Sequence, residues 1–241
     1  MGGSKSAPVR LALITGGSRG IGLAMARTFA KAGYKVIITG RNAGTLKVAA
    51  DSLKLDGLNV ETEACDVTDT ASVERAFAQI KQRHSTIDVL INNAGVAHAL
   101  KPADQLSLET WRQVIDTNLT GMFLVTRFAL PLMREGGSIV NNLSIAAVQP
   151  FAGMSAYNAS KFGAMGFTQA LREDLRPRGI RVVTLMPGAT DTDIWQQFWP
   201  DAPRAKMVSP DTVAEAVLHA VSAPANASID EIRILPAAGV L

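Results

Sequence analysis

Short apolar stretches alternate with longer amphipathic stretches along nearly the whole chain. The segment VRLALIT (9–15) is almost continuously apolar, which is typical of a strand covered on both faces of a sheet. Ile21, Met25 and Phe29 then recur at helical spacing, and Gly33 supplies a stop signal. The first part of the chain therefore predicts a strand followed by a helix.

The same alternation continues to the end of the chain. Further strands are predicted at 35–40, 59–66, 88–95, 137–144, 180–188 and 231–236. Further helices are predicted at 44–55, around Val73, Phe77 and Ile80, and at 108–133, 156–176 and 211–222. The pattern shows no internal repeat and no linker, so it predicts one α/β domain at 9–241 after a flexible lead at 1–8. The predicted fold is Rossmann-like, with a doubly wound, seven-stranded parallel sheet flanked by helices.

The last helix has a strong start signal. Ser209 can cap the helix with its hydroxyl, and Pro210 follows at the first helical position, where its missing N–H is no loss.

The motifs that are rich in glycine and polar residues lie where the predicted strands end. Ligands bind at this carboxyl edge in doubly wound folds, so the edge is the predicted site.

A glycine-rich loop, TGGSRGIG (15–22), joins the first strand to the first helix. Gly16 permits a tight turn, Gly20 allows the backbone to approach a pyrophosphate, and Gly22 allows close packing of helix on strand. The N–H groups and the dipole at the helix start favour a phosphate. A glycine-rich turn can be purely structural, but its place between a buried strand and an amphipathic helix favours a dinucleotide.

The end of the second strand indicates which dinucleotide. A site for NAD usually places Asp or Glu there, whereas this chain has Gly40 followed by Arg41. Arg19 of the glycine loop lies nearby in the predicted fold, and two guanidinium groups can hold the 2′-phosphate of NADP. The alternative is a pair of solvated surface arginines. The sequence favours NADP(H).

Composition narrows the class of protein further. Hydrophobic residues make up 47%, charged residues 19% and the formal net charge is +3, with no run of Lys and Arg that would indicate nucleic-acid or membrane binding. The one cysteine, Cys65, and three widely separated histidines offer no disulfide and no spacing typical of a metal site. With neither an apolar run of about 18 residues nor a secretory h-region, we expect a cytoplasmic protein.

Tyr157 and Lys161 stand four positions apart in the helix predicted at 156–176. Such an offset places both side chains on one helical face, about 5–6 Å apart at Cβ. A lysine charge at that distance favours the phenolate by about 3 kcal/mol, so we expect the pKa of Tyr157 to be lowered toward neutrality. The alternative is a surface tyrosine beside a snorkelling lysine.

Taken together, these motifs resemble those of the short-chain dehydrogenase/reductases, in their single-domain form, over nearly the whole chain. The resemblance rests on TGGSRGIG, on the CDV segment at 65–67, on NNAG (92–95), on TNLTG and on PG (187–188). It implies a catalytic tetrad of Asn118, Ser144, Tyr157 and Lys161. It also implies cofactor contacts from Gly16, Ser18, Arg19, Gly20, Ile21, Gly22, Arg41, Asp66, Val67, Asn93, Ala94, Gly95, Tyr157, Lys161, Pro187, Gly188, Thr190 and Thr192.

The resemblance also implies roles for the tetrad. Tyr157 would exchange a proton with the substrate oxygen, Ser144 would hydrogen-bond that oxygen, and Lys161 would tune Tyr157 and bind the nicotinamide ribose. Asn118 would hold a water linked to Lys161. Relatives pair through the helices at 108–133 and 156–176, so a homodimer or homotetramer is expected. The chain ends in EIRILPAAGVL, where many members carry a TG…DGG segment, so contacts made by their C-termini do not transfer.

Trp195, Phe198 and Trp199 fall in the segment 189–208, after PGATDT. This part of the fold usually covers the substrate, and three aromatic residues together suggest an apolar lid.

The predicted function is NADP(H)-dependent hydride transfer between nicotinamide and a carbonyl or secondary alcohol, with ketone or 3-oxoacyl reduction as its form. A thioester site would call for a basic patch, for which Arg134, Arg172 and Arg176 are the candidates, although they also fit solvated helix charges. The alternative class is a non-catalytic NADP(H)-binding sensor or scaffold, which predicts loss of the tyrosine or the lysine.

Overall fold

The computed structural model describes residues 9–197 and 199–239. Within these residues, seven strands pair in parallel to form one sheet with the order β3-β2-β1-β4-β5-β6-β7. The strands are β1 (Leu11–Thr15), β2 (Lys35–Gly40), β3 (Glu61–Ala64), β4 (Val89–Asn92), β5 (Ser138–Asn142), β6 (Arg181–Pro187) and β7 (Glu231–Ile234). The strand order reverses between β1 and β4, which is where ligands bind in such sheets. The predicted doubly wound fold is confirmed.

Helices cover both faces of the sheet. They are α1 (Gly20–Lys31), α2 (Ala43–Leu55), α3 (Thr70–Arg83), α4 (Leu108–Ile115), α5 (Gly121–Ala129), α6 (Ser155–Leu175) and α7 (Pro210–Val221). Residues of α1, α2 and α7 share one apolar core with Ala12 and Ile14 of β1. Residues of α3, α5 and α6 share the other core with Leu11 and Leu13. Because side chains alternate across a strand, the continuous apolar run of β1 supplies both cores.

The helix start predicted at Ser209 is confirmed. The Ser209 hydroxyl accepts a hydrogen bond from the Thr212 N–H at 3.0 Å, and Pro210 is the first residue of α7. Asn42 caps α2 in the same way, accepting from the Thr45 N–H at 3.0 Å. These caps satisfy N–H groups that have no partner inside the helix.

The long helix predicted at 108–133 is interrupted. A π-helical turn, Asp116–Thr120, separates α4 from α5, and the 3₁₀ turn Leu130–Leu132 follows α5. The prediction of one continuous helix was therefore wrong in this detail. Several strands are also shorter than predicted, since polar residues such as Asn93 and Ser144 leave the sheet to form loops at its carboxyl edge. Among the described residues, no helix combines the length and apolar character needed to cross a membrane.

Candidate active site

The glycine loop after β1 brings the backbone close to the loop after β4. Gly16 and Gly20 adopt positive φ angles of 63° and 54°, a conformation that residues with side chains rarely adopt. A Cβ atom at Gly16 would lie 2.9 Å from the Cα of Ala94, and one at Gly22 would overlap the carbonyl oxygen of Gly16. Glycine is therefore required here to form the narrow cradle from which α1 begins.

An amide network holds this cradle in place. The Asn93 side chain donates to the carbonyl oxygens of Thr15 and Gly16 at 2.9 and 3.1 Å, and its own oxygen accepts from the Asn142 amide at 2.8 Å. The Thr15 hydroxyl accepts from the N–H groups of Asn93 and Ala94 at 2.9 and 3.0 Å. These bonds connect the ends of β1, β4 and β5, so the cradle is rigid across the switch in strand order.

A cavity of about 1110 Å³ extends along this edge of the sheet. Its volume exceeds the range of about 300–1,000 Å³ that is usual for a drug-sized ligand, so it can hold a dinucleotide together with a substrate. The cavity wall includes these predicted site residues: Gly16, Ser18, Arg19, Gly20, Ile21, Arg41, Asp66, Val67, Asn93, Ala94, Gly95, Ser144, Tyr157, Lys161, Pro187, Gly188, Thr190 and Thr192.

Two predicted residues do not line the cavity. Gly22 lies behind the loop, where an added Cβ would come within 2.5 Å of the Asn93 amide nitrogen, so it shapes the cradle without facing a ligand. Asn118 is buried, and its amide is used inside the protein: its oxygen accepts from the Val96 N–H at 2.8 Å, and its nitrogen donates to the Val96 carbonyl and the Ser160 hydroxyl at 2.9 and 3.0 Å. The close packing at Gly22 agrees with the helix-on-strand role predicted for it, whereas its cofactor contact and the water predicted at Asn118 stay predictions.

One end of the cavity carries both arginines predicted to choose the cofactor. Arg19 lies at the start of α1 and Arg41 directly after β2, and both line the cavity. The N-terminal turn of α2 lies beside them, with Asn42 and Thr45 also in the wall. Asp66 faces the same end, where its carboxylate accepts from the Thr68 N–H and hydroxyl at 3.0 and 2.7 Å. This end fits a phosphorylated adenosine, because guanidinium groups can pair with a phosphate.

Farther along the cavity, the Ser144 hydroxyl lies beside the Tyr157 phenol, close enough to lower its pKa. The Ser144 hydroxyl also accepts from the Ala146 N–H at 3.1 Å, which fixes its direction after β5. Lys161 lies one turn after Tyr157 on α6, and its Nζ donates to the carbonyl oxygen of Asn142 at 3.1 Å. Two hydroxyls and one ammonium thus meet at one place in the cavity wall.

The electrostatics of this group differ from the expectation. Burial raises the pKa of the Tyr157 phenol above its ordinary value, and the hydrogen bond with Ser144 lowers it by less. Burial also lowers the pKa of Lys161 to about 8, because a cation is costly to hold away from water. The prediction that Lys161 lowers the pKa of Tyr157 toward neutrality is wrong for this structure, since burial raises that pKa and Ser144, not Lys161, is the group that lowers it. The phenol therefore carries its proton at neutral pH.

The small residues around Tyr157 have an intramolecular cause. A Cβ atom at Gly163 would lie 2.8 Å from Cδ2 of Leu119, which belongs to the π-helical turn. Small side chains on α6 thus allow the turn that carries Asn118 to pack closely, and Asn118 then ties α6 to the loop at Val96. Sequence reasoning could not assign this partner, because small residues fit close approach by any helix.

Sequence reasoning also missed part of the cavity wall. Leu100, Phe151 and Met154 lie in two loops that touch each other: the Lys101 N–H donates to the carbonyl oxygen of Gly153 at 3.0 Å. The sequence around these three residues shows neither helical or strand periodicity nor a recognisable motif. Only the meeting of the loops after β4 and β5 makes them neighbours in the wall.

The two ends of the predicted lid segment pair with each other. Thr190 and Val208 form a parallel β-bridge, and Arg204 pairs with Asp191 inside the loop. The indole N–H of Trp195 donates to the carbonyl oxygen of Thr190 at 2.8 Å, and the Trp199 ring meets the Trp195 ring edge-on with centres 6.1 Å apart. Both tryptophans line the cavity, whereas Phe198, the third predicted lid residue, lies outside the described residues.

Comparison with known proteins found a matching family model and similar dehydrogenases. A family model described as short chain dehydrogenase matches residues 10–203. Serine 3-dehydrogenase from Agrobacterium fabrum is 36% identical over 233 residues, which are 93% of this chain and 92% of the relative. The NADP-dependent 3-hydroxy acid dehydrogenase YdfG of Salmonella typhi is 35% identical over 237 residues, 94% of each protein.

A solved structure agrees with these relatives. A short chain dehydrogenase from Burkholderia cenocepacia in complex with NADP superimposes with a TM-score of 0.85 at 32% sequence identity. The match covers 94% of this chain and 96% of that one. The likeness therefore extends over the whole sheet and both helical layers.

Proposed function

The chain belongs to the short-chain dehydrogenase/reductase family, and on that premise we propose that it is a carbonyl reductase that uses NADPH. It would interconvert a ketone, or a 3-oxoacyl compound, and the matching secondary alcohol. The observation that carries the proposal is that Ser144, Tyr157 and Lys161 line the cavity that also holds the glycine cradle, with the Lys161 Nζ 5.5 Å from the centre of the Tyr157 ring. The predictions of family, of oxidoreductase activity and of NADP(H) are confirmed by the comparisons.

The residues present fit this cofactor. Gly16 and Gly20 leave room for a pyrophosphate at the start of α1, where no side chain among the described residues caps the helix. Arg19 and Arg41 would hold the 2′-phosphate, and Asp66 with Val67 would contact the adenine. Asn93, Ala94 and Gly95 would line its middle, and Pro187, Gly188, Thr190 and Thr192 would lie at the nicotinamide end.

The chemistry divides between the cofactor and three side chains. Bound NADPH supplies a hydride to the carbonyl carbon of the substrate. Tyr157 gives its phenolic proton to the carbonyl oxygen as the alcohol forms, and it regains a proton from solvent afterwards. Ser144 donates a hydrogen bond to the same oxygen, where negative charge develops in the transition state. The raised pKa of Tyr157 suits this direction, because the group must begin protonated.

Lys161 and Asn118 have supporting roles in the proposal. The Lys161 ammonium stabilises negative charge left on Tyr157 and would bind the nicotinamide ribose hydroxyls. Asn118 is a positioning residue: it holds Val96 against Ser160 of α6 and so keeps the helix that bears Tyr157 next to the loop after β4. The predicted water between Asn118 and Lys161 stays part of the proposal.

The basic patch considered for a thioester substrate is not supported. Arg172 donates to the carbonyl oxygen of Val182 and to the Thr184 hydroxyl at 2.9 and 2.8 Å, and Arg176 pairs with Glu173. None of the three candidate arginines is among the described residues that line the cavity. A 3-oxoacyl substrate therefore remains in the proposal only as a small acyl compound and without a carrier-binding patch.

We also propose that this chain associates with a second copy of itself. Phe123 of α5 and Phe162 of α6 are large apolar residues that are 44% and 46% exposed. The Phe123 ring also meets Phe167 of α6 edge-on, with centres 6.1 Å apart, so the apolar surface spans both helices. Exposed apolar surface of this kind favours association. This surface, together with the pairing of relatives through the same helices, supports a homodimer or homotetramer through 108–133 and 156–176.

Two further parts of the proposal are the cellular location of the protein and the role of residues 189–208. A cytoplasmic location is supported by Cys65, which is a buried free thiol. Residues 189–208 would act as the substrate lid of the domain 9–241, supported by the closed loop between Thr190 and Val208. The predicted lead at 1–8 lies outside the described residues.

A non-catalytic sensor is the competing function. It predicts loss of Tyr157 or Lys161, and both line the cavity in this protein. The deciding experiment mixes purified protein with NADPH and a panel of ketones and aldehydes, and follows NADPH absorbance. We expect oxidation with at least one carbonyl compound, whereas tight NADPH binding without oxidation by any of them would favour the sensor.

A further inference from the structure

The cavity has a charged end and an apolar end, with Tyr157 between them. The cationic residues among its described lining are Arg19, Arg41 and Lys161. Arg19 and Arg41 lie at the glycine loop and at the end of β2, which is the end that fits the adenosine phosphate. Lys161 is 5% exposed and donates to the Asn142 carbonyl oxygen, so it is held at the phenol.

The opposite end is built from apolar side chains of three segments. One wall is formed by the loops that carry Leu100 and Met154: an added Cβ at Gly153 would lie 3.4 Å from the Cβ of Leu100, so the two loops are in contact. The other wall is the lid, where Trp195 is fixed by its hydrogen bond to Thr190. Leu100 and Trp199 remain 53% and 41% exposed, which leaves apolar surface for a substrate to cover.

No cation is among the described lining residues of this apolar end. The lid segment carries Arg204, which is paired with Asp191, and Lys206, and neither these nor Lys101 beside Leu100 is part of that lining. Asp193, in the lid, lines the cavity and adds a negative charge. A carboxylate bound beside the tryptophans would lose its hydration without gaining a cationic partner from the described lining, and this loss is expensive.

The names of two relatives indicate a different kind of substrate. Serine and 3-hydroxy acids, which appear in the names of two relatives, both carry a carboxylate separated by one carbon from the carbon that bears the hydroxyl. At 35–36% identity, the residues that face a substrate can differ while the catalytic group is retained. In this chain the described lining near Leu100, Trp195 and Trp199 is apolar and has no cation, which is a reason to expect a substrate without a carboxylate.

We propose that the substrate of this protein is an uncharged ketone with a bulky apolar or aromatic substituent, and that the apolar end formed by Leu100, Met154, Trp195 and Trp199 discriminates against carboxylates. The inference rests on the proposed carbonyl reductase function. The ketone carbon lies at Tyr157, and the apolar substituent packs between the two loops and the lid. Oxidation of NADPH to NADP⁺ with uptake of one solvent proton balances the reduction to the alcohol.

A matched set of three ketones tests the inference. The substrates are 3-oxobutanoate, its ethyl ester, and ethyl 3-oxo-3-phenylpropanoate, compared by kcat/KM with NADPH at about pH 7, where the free acid is ionised. We expect the ethyl ester to exceed the acid by about 100-fold or more, because only the acid brings an unpaired charge. We expect the phenyl ketone to exceed ethyl 3-oxobutanoate by about 10-fold, because it buries more apolar surface.

Two variants test the residues. Leu100→Arg places a cation at an exposed position of the apolar end, and it should raise the acid-to-ester ratio of kcat/KM by about 10-fold. Leu55→Arg adds the same charge at a leucine that is 90% exposed and outside the described lining, and it should leave the ratio unchanged. Trp199→Ala should remove the preference for the phenyl ketone, whereas Leu55→Ala, at an exposed leucine outside the described lining, should retain it.

The outcomes separate the two proposals. Turnover of the acid with kcat/KM equal to or above that of its ester overturns the substrate class and leaves the reductase function standing. An acid-to-ester ratio that is the same in Leu100→Arg and Leu55→Arg overturns the assigned apolar end. Failure to oxidise NADPH with all three ketones and with the broader panel overturns the reductase function, and the substrate class falls with it.

Discussion

Lys161 holds its ammonium nitrogen 5.5 Å from the centre of the Tyr157 ring, one helical turn away on α6. The same nitrogen donates to the carbonyl oxygen of Asn142 at 3.1 Å, so the end of β5 fixes the cation relative to the phenol. Ser144 reaches the phenol from the loop that follows β5. The proposed proton donor and its two partners are therefore positioned by one strand end and one helix.

Replacement of Tyr157 by phenylalanine removes the proposed proton donor and retains the ring. We expect Tyr157→Phe to lower kcat by about 100-fold to 10,000-fold, because general acid catalysis contributes on this order. The dissociation constant for NADPH should change by less than about 3-fold, since cofactor affinity depends mainly on the phosphate contacts. Initial rates and fluorescence titration of NADPH measure the two effects, and a fully active variant would refute the assigned donor.

Arg41→Ala tests the choice of cofactor. Loss of a charge-assisted bond to the 2′-phosphate should raise the dissociation constant for NADPH by about 10-fold to 100-fold. The dissociation constant for NADH, which lacks this phosphate, should change by less than about 2-fold. Arg75→Ala is the matched control, because Arg75 is an exposed arginine outside the described lining of the cavity. Equal losses for both cofactors in Arg41→Ala would contradict the assignment.

Gly40 offers the reverse test, because a side chain fits at its position. A Cβ atom there would lie 3.5 Å from the nearest side-chain atom, Cδ2 of Leu46, which is an ordinary contact. Gly40→Asp places a carboxylate beside the proposed 2′-phosphate site, so NADPH binding should weaken by at least about 10-fold while NADH binding is retained or improved. Gly40→Asn has nearly the same shape without the charge, and an equal loss of NADPH affinity in both variants would contradict an electrostatic cause.

The pKa of Lys161 predicts how the rate of ketone reduction depends on pH. Burial lowers this pKa to about 8, so the ammonium is present below that pH and is lost above it. Because the pKa of Tyr157 is raised, the phenol keeps its proton over the same range. We therefore expect kcat/KM for reduction to be level below about pH 7 and to fall above about pH 8, whereas alcohol oxidation should rise. A reduction rate that increases through pH 8 in steady-state measurements would be inconsistent with this assignment.

The exposed phenylalanines of α5 and α6 predict the state of association. Phe162→Glu introduces a charge into the apolar surface shared with Phe123, and we expect it to shift the protein from an oligomer toward a monomer. Light scattering at about micromolar concentration measures the change in mass. Val48→Glu is a suitable control, since Val48 is exposed on α2 and should leave the oligomer intact. A monomeric parent protein would rule out the proposed interface.

Several features of the fold and the site were predictable because they depend on neighbours in the chain. The continuous apolar run of β1 predicts a strand covered on both faces, and Ser209 with Pro210 predicts the start of α7. The spacing of Tyr157 and Lys161 predicts one helical face, and Gly16 with Gly20 predicts a tight turn at a helix start. These inferences need only backbone geometry over a few residues, which the sequence specifies directly.

The remaining features required the tertiary structure, because they arise between segments far apart in the chain. The raised pKa of Tyr157 follows from atoms of other segments that displace water, whereas the sequence reveals only the nearby lysine. The amide of Asn118 is used to join Val96 to Ser160, 42 residues away from Asn118 in sequence, and no local pattern encodes that pairing. The apolar end of the cavity likewise exists only where the loops of Leu100 and Met154 face the lid, since folding alone makes them neighbours.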